Sequence, residues 1–328
     1  MQQLSRIQQL LNDPSLIIDE QVQSLWSDYG SIIRCKSLAK QQSYIIKVIE
    51  PGNAGTHPRG WNTSVSHQRK LKSYQVESVF YNKYAALTDK FNKVPDLIAF
   101  DHTEEFTVLI MEDLDEAGYF VRKEQGDWAS LRLAIAWLAH FHARFMFNDG
   151  EDLWSQGTYW HLSTRHDEFN AMPESDFKQY AEQLDTKLNS ARYQTLLHGD
   201  AKFQNLCFHH DGKHVAAVDF QYVGKGPGVK DLAYLVGSCL QQEQLVELDQ
   251  LALDEYLFQL KAGLKHYKVK FDQQELEQEI RTLYPVAWAD FYRFLLGWNP
   301  KSWKVCDYMK QMAQQGIKNL DNFNLNVS

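Results

Sequence analysis

The chain has 328 residues, of which 44% are hydrophobic and 13% aromatic, so it is long and apolar enough for a globular protein of two domains or lobes. A net charge of −8 argues against a nucleic-acid-binding surface, which needs a basic field. The polar start lacks a signal-peptide core and no apolar run approaches the roughly 20 residues of a membrane span, so we expect a cytoplasmic protein without nucleic-acid or membrane partners.

The first third of the chain is strand-rich. Residues 1–20 predict a short helix closed by Asn12-Asp13-Pro14 and then a link. The β-branched run 43–49 predicts a strand that ends at Pro51-Gly52, and a polar loop follows up to residue 64. Residues 67–87 contain neither Pro nor Gly and predict a long helix, whereas 97–111 predict two strands joined by a turn.

After residue 111 the pattern becomes helical. Residues 131–147 carry apolar side chains at helical spacing, and from residue 176 onward helix predominates. The exception is 196–219, which predicts loop, strand, turn at Asp211-Gly212, and strand. The predicted fold class is therefore α+β and two-lobed, with a small strand-rich lobe (1–111), a hinge (112–116) and a larger helical lobe (117–328). The four scattered cysteines, without a C-x-x-C pair, are expected to be buried and reduced.

The most informative string is His198-Gly199-Asp200-Ala201-Lys202-Phe203-Gln204-Asn205, followed by Val218-Asp219-Phe220-Gln221. Asp200 has the chemistry to accept a proton from an attacking hydroxyl, while Asn205 and Asp219 offer the hard oxygen ligands that Mg²⁺ prefers. Apolar strands between them predict a hairpin that places Asn205 beside Asp219. An Asp after Gly is often only a turn residue, but the joint spacing favours phosphoryl transfer. We expect His198 to support the loop rather than to react.

These motifs resemble the catalytic and metal loops of the aminoglycoside phosphotransferase and choline kinase superfamily, and most closely its ecdysteroid kinase-like branch. The segments Leu138–Ala143 and Ala287–Trp298 are similar to that branch as well. The resemblance extends over about residues 25–310. It implies a protein-kinase-like fold, Mg-ATP as phosphoryl donor and a small-molecule hydroxyl as acceptor, without predicting the oligomeric state.

A kinase also needs a phosphate-binding lysine on a strand of the first lobe and a glutamate that holds it. Lys47 lies in the middle of the run 43–49, although an alternating strand would equally allow a solvent-facing lysine. On the predicted helix, Glu77 falls on a stripe with Tyr74, Tyr81 and Tyr84. A carboxylate in an aromatic stripe needs a partner, and the resemblance implies Lys47.

Two further segments are assigned on the resemblance. Met111, Glu112 and Leu114 resemble the hinge whose backbone binds adenine, with an ordinary strand end as the alternative. No G-x-G-x-x-G occurs before the strand at 32–34, so Ser27 and Gly30 are the candidates for covering the phosphates.

Two further sequence features follow Asp219. Residues 224–228 (GKGPG) fit no phosphate-binding pattern and predict a tight loop. Asp231 opens an apolar helix, either as a plain N-cap or, as in the related kinases, as a brace for the catalytic loop.

The acceptor is not specified by the sequence. A cationic acceptor would need aromatic faces and carboxylates, for which Asp290 and Asp167-Glu168 are candidates. A sterol-like or polyol acceptor would need an apolar or neutral wall. Most aromatic residues of the second lobe are expected to be core. The alternative to a kinase is a catalytically silent relative that binds a nucleotide or a partner.

Overall fold

The computed structural model describes residues 2–25, 29–50 and 64–325. It divides into two compact units: the first comprises Met1–Leu87 and Val94–Phe120, and the second comprises Thr88–Lys93 and Val121–Ser328. The predicted α+β architecture is confirmed, since strands dominate the first unit and helices the second.

Within the described residues, the sheet of the first unit has five antiparallel strands in the order β1-β2-β3-β5-β4. The first unit opens with helix α1 (Gln2–Leu10), and its strands are β1 (Leu16–Ser24), β2 (Gly30–Ser37), β3 (Gln42–Ile49), β4 (Leu97–His102) and β5 (Thr107–Glu112). The predicted strand pair in 97–111 is thereby confirmed as β4 and β5.

Strand β3 separates two apolar clusters because its side chains alternate between the two faces of the sheet. Tyr44, Ile46 and Val48 belong to a cluster that also contains Ile7 of α1. Ile49 faces the other way and packs with Tyr74 in a second cluster. Lys47 shares the face of Ile49.

Strand β1 replaces the link that the sequence predicted after the first helix. It pairs with β2, and its register shifts between Ile18 and Glu20 and again between Gln21 and Gln23. Only Leu16 of its residues is buried. The prediction was wrong because an exposed edge strand with such irregularities carries no regular alternation of apolar residues.

The predicted helix 67–87 is confirmed as a continuous helical segment that changes type. It begins as α2 (Ser64–Val79), continues as a π-helical turn over Phe80–Tyr84, and ends in a 3₁₀ turn over Ala85–Leu87. The expected stripe is buried throughout, with Tyr74, Glu77, Tyr81 and Tyr84 each at most 7% exposed.

The second unit is built mainly of helices. They are α3 (Trp128–Arg144), α4 (His166–Ala171), α5 (Asp176–Gln179), α6 (Ala181–Asn189), α7 (Val229–Cys239), α8 (Gln242–His266), α9 (Gln273–Trp298) and α10 (Asp307–Leu325). The predicted apolar face in 131–147 is confirmed, because its five apolar side chains are all buried: Leu131, Ile135, Leu138, Phe141 and Phe145.

Two short ladders complete the second unit. Strand β6 (Gln194–Leu197) pairs with β9 (Gly224–Pro227), and β7 (Leu206–Phe208) pairs with β8 (Val215–Ala217). The hairpin β7–β8 was predicted. Strand β9 was not, because the loop prediction followed from a Gly- and Pro-rich segment that is intrinsically poor in strand propensity. It forms a strand because β6 supplies a partner.

Of the cysteines, Cys35, Cys207 and Cys239 are buried as expected, whereas Cys306 is partly exposed. Among the described residues, none of the helices is both long and apolar enough to cross a bilayer.

Candidate active site

The loop that carries Asp200 begins with a glycine that no other residue replaces easily. Gly199 has φ +82°, and a Cβ there would lie 2.1 Å from the carbonyl oxygen of Tyr222. Its own carbonyl accepts a hydrogen bond from the Tyr159 amide at 3.1 Å. Both the left-handed conformation and the close approach require glycine, so the segment before Asp200 crosses directly over the segment after Asp219.

Asp231 holds the start of this loop. Its Oδ2 accepts from the His198 amide at 2.6 Å and its Oδ1 from the Gly199 amide at 3.0 Å. Asp231 also lies 3.2 Å from Nε2 of His142. The N-cap of α7 is Gly228, and Asp231 lies further inside the helix. Asp231 is therefore a brace for the loop and not a plain N-cap.

His198 supports the loop from inside. Its Nδ1 accepts from the Asp200 amide at 3.2 Å, so Nε2 carries the proton and donates to the Val218 carbonyl at 3.1 Å. Burial lowers the pKa of His198 against the nearby charges of Asp231, Asp200 and Asp219, which is consistent with a neutral ring. This arrangement links the Asp200 loop to the strand end that precedes Asp219.

The carboxylate of Asp200 is surrounded by donors. Its Oδ1 accepts from the Tyr234 hydroxyl at 2.7 Å, and its Oδ2 accepts from Lys202 Nζ at 2.8 Å and Asn205 Nδ2 at 3.0 Å. Burial alone would lower the pKa of Lys202, but the charge and hydrogen bond of Asp200 raise that pKa above its ordinary value. Asp200 is 7% exposed and is an oriented hydrogen-bond acceptor.

Asn205 and Asp219 leave the same end of the β7–β8 hairpin. The ladder pairs Leu206 with Ala217, and the Val218 amide then donates to the Asn205 carbonyl at 3.0 Å. Because Nδ2 of Asn205 is directed to Asp200, its Oδ1 is the amide atom suited to a cation. An amide oxygen beside a carboxylate is a donor set that Mg²⁺ prefers, so these residues fit that ion.

Lys47 and Glu77 form a buried ion pair in the first unit. Nζ of Lys47 lies 2.5 Å from Oε2 of Glu77, and the two residues are 3% and 2% exposed. Nζ also lies 5.6 Å from the ring centroid of Tyr74. The expected pairing is present, and the alternative of a solvent-facing lysine is wrong. Each charge neutralises the other, and this attraction offsets the desolvation cost of burying them.

The segment Met111–Leu114 is closely tied to its own unit. The Glu112 amide donates to the Asp96 carbonyl at 2.9 Å, and the Leu114 carbonyl accepts from the Tyr119 amide at 2.8 Å. Those two backbone groups are thus already engaged. The adenine-binding role of Met111, Glu112 and Leu114 stays a prediction.

The segment before β2 is described only in part. Ser27 lies outside the described residues. Gly30 opens β2 with φ +133°, and a Cβ there would lie 2.0 Å from the Val48 carbonyl oxygen. Its carbonyl accepts from the Leu25 amide at 2.8 Å. Gly30 therefore has a clear role in strand pairing, and its contact with phosphate stays a prediction.

Two of the three carboxylates considered for a cationic acceptor are used internally. Asp290 is 1% exposed and accepts from Arg293 at 2.7 Å and Trp160 Nε1 at 3.0 Å, with Lys230 Nζ at 3.3 Å. Glu168 is 3% exposed and pairs with Arg165 at 2.9 Å. Neither presents a charge to a ligand, so that hypothesis was wrong for both residues. Most of the aromatic residues considered with them are core, as expected: Trp137, Trp154, Trp160, Trp288 and Tyr292.

Sequence reasoning missed three residues near Asp200. Lys202 follows it by two positions, and Tyr234 follows Asp231 by one helical turn, so that both α7 side chains reach the same loop. That i, i+3 spacing was a usable signal. Nζ of Lys304 lies 5.0 Å from the Tyr234 ring centroid, and no local sequence motif indicates this contact.

Comparison with known proteins gives a family and several solved structures to which the chain is similar. Residues 33–149 and 158–269, well over half of the chain, match the model of the ecdysteroid kinase-like family.

The chain is similar to an ethanolamine kinase from Plasmodium vivax at 13% identity, over 94% of this chain and 82% of that chain, with a TM-score of 0.49. A macrolide 2′-phosphotransferase from Brachybacterium faecium is 12% identical over 98% of both chains, with a TM-score of 0.47. An aminoglycoside-3′-phosphotransferase of type VIII is 14% identical over 88% of this chain and 98% of that chain, with a TM-score of 0.47. No curated protein matches the chain.

Proposed function

Because this chain belongs to the ecdysteroid kinase-like family, we propose that it is a small-molecule kinase that moves the γ-phosphate of Mg-ATP to a hydroxyl group. The observation that carries the proposal is the environment of Asp200. Its carboxylate is fixed by Tyr234, Lys202 and Asn205, and the loop that bears it is fixed by Asp231. A general base needs such orientation before its basicity matters.

In the proposed reaction Asp200 orients the acceptor hydroxyl. Oδ1 accepts one hydrogen bond from Tyr234 and has a second lone pair, to which the acceptor hydroxyl donates. The hydroxyl oxygen forms the new bond to the γ-phosphorus while the bond from that phosphorus to the ADP oxygen breaks. The hydroxyl proton passes to Asp200 late, and ADP leaves with the bonding electrons. Lys202 supplies positive charge next to the transferring group.

The remaining site residues have proposed roles in binding the phosphoryl donor. Asn205 and Asp219 would hold Mg²⁺, which neutralises phosphate charge when bound. Lys47, oriented by Glu77, would bind phosphate oxygens as a point charge. Backbone groups of Met111, Glu112 and Leu114 would contact adenine, and Ser27 and Gly30 would lie over the phosphates.

The test is an ADP-release assay with a panel of amino alcohols, sugars, aminoglycosides and sterols, after subtraction of the hydrolysis background. Asp200→Ala should lower turnover about a thousandfold and leave Mg-ATP binding nearly unchanged. Asp149→Ala, a change at an exposed carboxylate paired with Lys225, is the matched control and should retain full turnover. Nucleotide binding without transfer to any acceptor would favour the alternative of a silent nucleotide-binding protein, and unchanged turnover in Asp200→Ala would refute the base assignment.

A further inference from the structure

Lys304 lies against the ring of Tyr234, the tyrosine that contacts the carboxylate we propose as the base. It belongs to the segment between α9 and α10, and its Nζ lies 5.0, 5.9 and 6.0 Å from the ring centroids of Tyr234, Phe291 and Trp303. Tyr234 is the residue that donates to Asp200. One aromatic ring thus contacts the base on its hydroxyl side and a lysine on its face.

Lys304 differs from the other buried or half-buried lysines of the site. Lys47, Lys202 and Lys230 each lie within 3.3 Å of a carboxylate oxygen. In the part of the chain that the structure describes, Lys304 Nζ makes neither an ion pair nor a hydrogen bond, and its residue is only partly exposed. Aromatic faces attract a cation but leave its three N–H donors unused. These donors are therefore available to a ligand oxygen.

The charges around Lys304 favour its protonated form only moderately. Burial, together with the charge of Lys202, lowers its pKa to about 8, and the charge of Asp200 acts in the opposite direction. The thiol of Cys239 is buried and its own pKa is raised, so it is neutral at ordinary pH. Tyr234 is neutral for the same reason. Lys304 is therefore mainly a cation near neutral pH and loses its charge in the alkaline range.

The charges around Lys304 also disfavour an acceptor that carries an ammonium group. The charges of Lys202 and Lys304 both act near the carboxylate of Asp200, and that carboxylate already accepts from three donors. Asp290 and Glu168 are neutralised internally. An acceptor that carries a cation near Lys304 would therefore meet a like charge.

We propose that Lys304 determines acceptor specificity: it donates to an oxygen of the acceptor, such as a carboxylate or carbonyl oxygen, and it excludes acceptors that carry an ammonium group. This inference rests on the proposed kinase function and names the chemical class of its substrate. Lys304 would then act by positioning the acceptor while Asp200 receives the proton.

The test uses benzyl alcohols that differ only in a para substituent: carboxylate, carboxamide or aminomethyl. The wild-type protein should phosphorylate the carboxylate and the carboxamide at a kcat/KM about tenfold or more above that of the amine, as expected for a charge-assisted hydrogen bond. Lys304→Met, which keeps the apolar stem, should bring this ratio close to one and leave the KM for ATP within about twofold. Lys304→Arg should retain the preference.

A pH profile separates this role from mere packing against Tyr234. The KM for the uncharged carboxamide should rise above about pH 8 in the wild type, because Lys304 loses its proton there. It should stay flat in Lys304→Arg, whose charge persists. Preference for the amine, an unchanged ratio in Lys304→Met, or the same alkaline rise in both the wild type and Lys304→Arg would overturn the proposal.

Failure of the kinase function itself gives a different result. If no compound is phosphorylated, calorimetric binding of the same three compounds decides the inference independently of turnover. Tighter binding of the carboxylate than of the amine, lost in Lys304→Met, supports it. The inference is overturned if the carboxylate and the amine bind with equal affinity in both the wild type and Lys304→Met. It is also overturned if the carboxylate does not bind.

Discussion

The hydroxyl of Tyr234 donates to Oδ1 of Asp200 at 2.7 Å, from a helix that also braces the Asp200 loop one turn earlier. Asp231 fixes the backbone of that loop and Tyr234 fixes its carboxylate. Burial and the charge of Asp200 raise the pKa of Tyr234 well above its usual range, so the hydroxyl remains a donor at every working pH. Orientation of the Asp200 carboxylate thus depends on helix α7.

Tyr234→Phe should lower kcat about tenfold and leave the KM for ATP within about twofold, because Oδ1 loses a donor while the ring packing is kept. Steady-state kinetics with the best acceptor measures this. Tyr308→Phe is the matched control, since Tyr308 is a tyrosine that donates to a carboxylate of the same unit, Asp249. Equal kinetics for the two variants would mean that the Tyr234 hydroxyl has no part in turnover.

Asp219→Ala should abolish the dependence of nucleotide binding on Mg²⁺, because it removes the carboxylate ligand and leaves only Asn205. Calorimetric titration of ATP with Mg²⁺ and with a chelator measures this. The wild-type affinity should be at least about tenfold higher with the ion. Asp211→Ala is the control, because it removes a carboxylate from the turn of the same hairpin. The Asp211 carboxylate lies near His209 and His214, and this variant should behave as the wild type. A wild-type response in Asp219→Ala would exclude this metal role.

The buried pair Lys47–Glu77 should show strong coupling in a double-mutant cycle. Glu77→Gln or Lys47→Met alone leaves a buried charge without its partner and should cost about 3 kcal/mol of unfolding free energy. The double variant should recover part of that loss, because neither charge remains. Urea unfolding of the four proteins measures this.

The activity of the same four proteins tests the phosphate-binding role of Lys47. Each single change should lower kcat/KM for ATP by about ten- to a hundredfold, and the double variant should be no worse than Lys47→Met. The exposed pair Lys178–Glu174 is the control, since such pairs contribute little. Additive losses would show that Glu77 does not act through Lys47.

Asp249 should make the unfolding free energy decrease as the pH rises. Burial raises its pKa from 3.8 to about 6, opposed by hydroxyl donors from Tyr284 and Tyr308. A carboxyl whose pKa is higher in the folded state stabilises that state below its unfolded pKa, and this contribution is lost as the pH rises through about 6. Between pH 4 and pH 7 the unfolding free energy of the wild type should therefore fall by up to roughly 3 kcal/mol relative to that of Asp249→Asn.

Urea unfolding at several pH values measures this difference. Asp254→Asn, a change at an exposed carboxylate of the same helix α8 that pairs with Arg281, should keep the wild-type pH dependence. Parallel profiles for the wild type and Asp249→Asn would show that this carboxyl titrates normally in the folded protein.

Much of the site could be predicted because its residues lie close together in the sequence. The spacing from Asp200 to Asn205 fits one loop, and the apolar runs up to Asp219 fit one hairpin, so local geometry alone brings them together. Helix periodicity and the cost of burying one charge indicated that Glu77 needs a partner, and the family resemblance implied Lys47 as that partner.

The parts that were missed depend on partners distant in sequence. Strand β9 has little propensity of its own and exists because Gln194–Leu197 lies alongside it. Lys304 lies about a hundred positions after Asp200, and only the packing of its segment against Tyr234 reveals the relationship. Asp290 looked available as a lone acid, but tertiary contacts with Lys230 and Arg293 neutralise it.

The crossing of Gly199 over Tyr222 has a mechanical consequence. The backbone at Gly199, just before Asp200, and the backbone at Tyr222, after Asp219, touch with no space for a methyl group between them. The imidazole of His198 also links the base amide to the Val218 carbonyl. Sliding one loop past the other would break these contacts, so we expect Asp200 and Asp219 to move together.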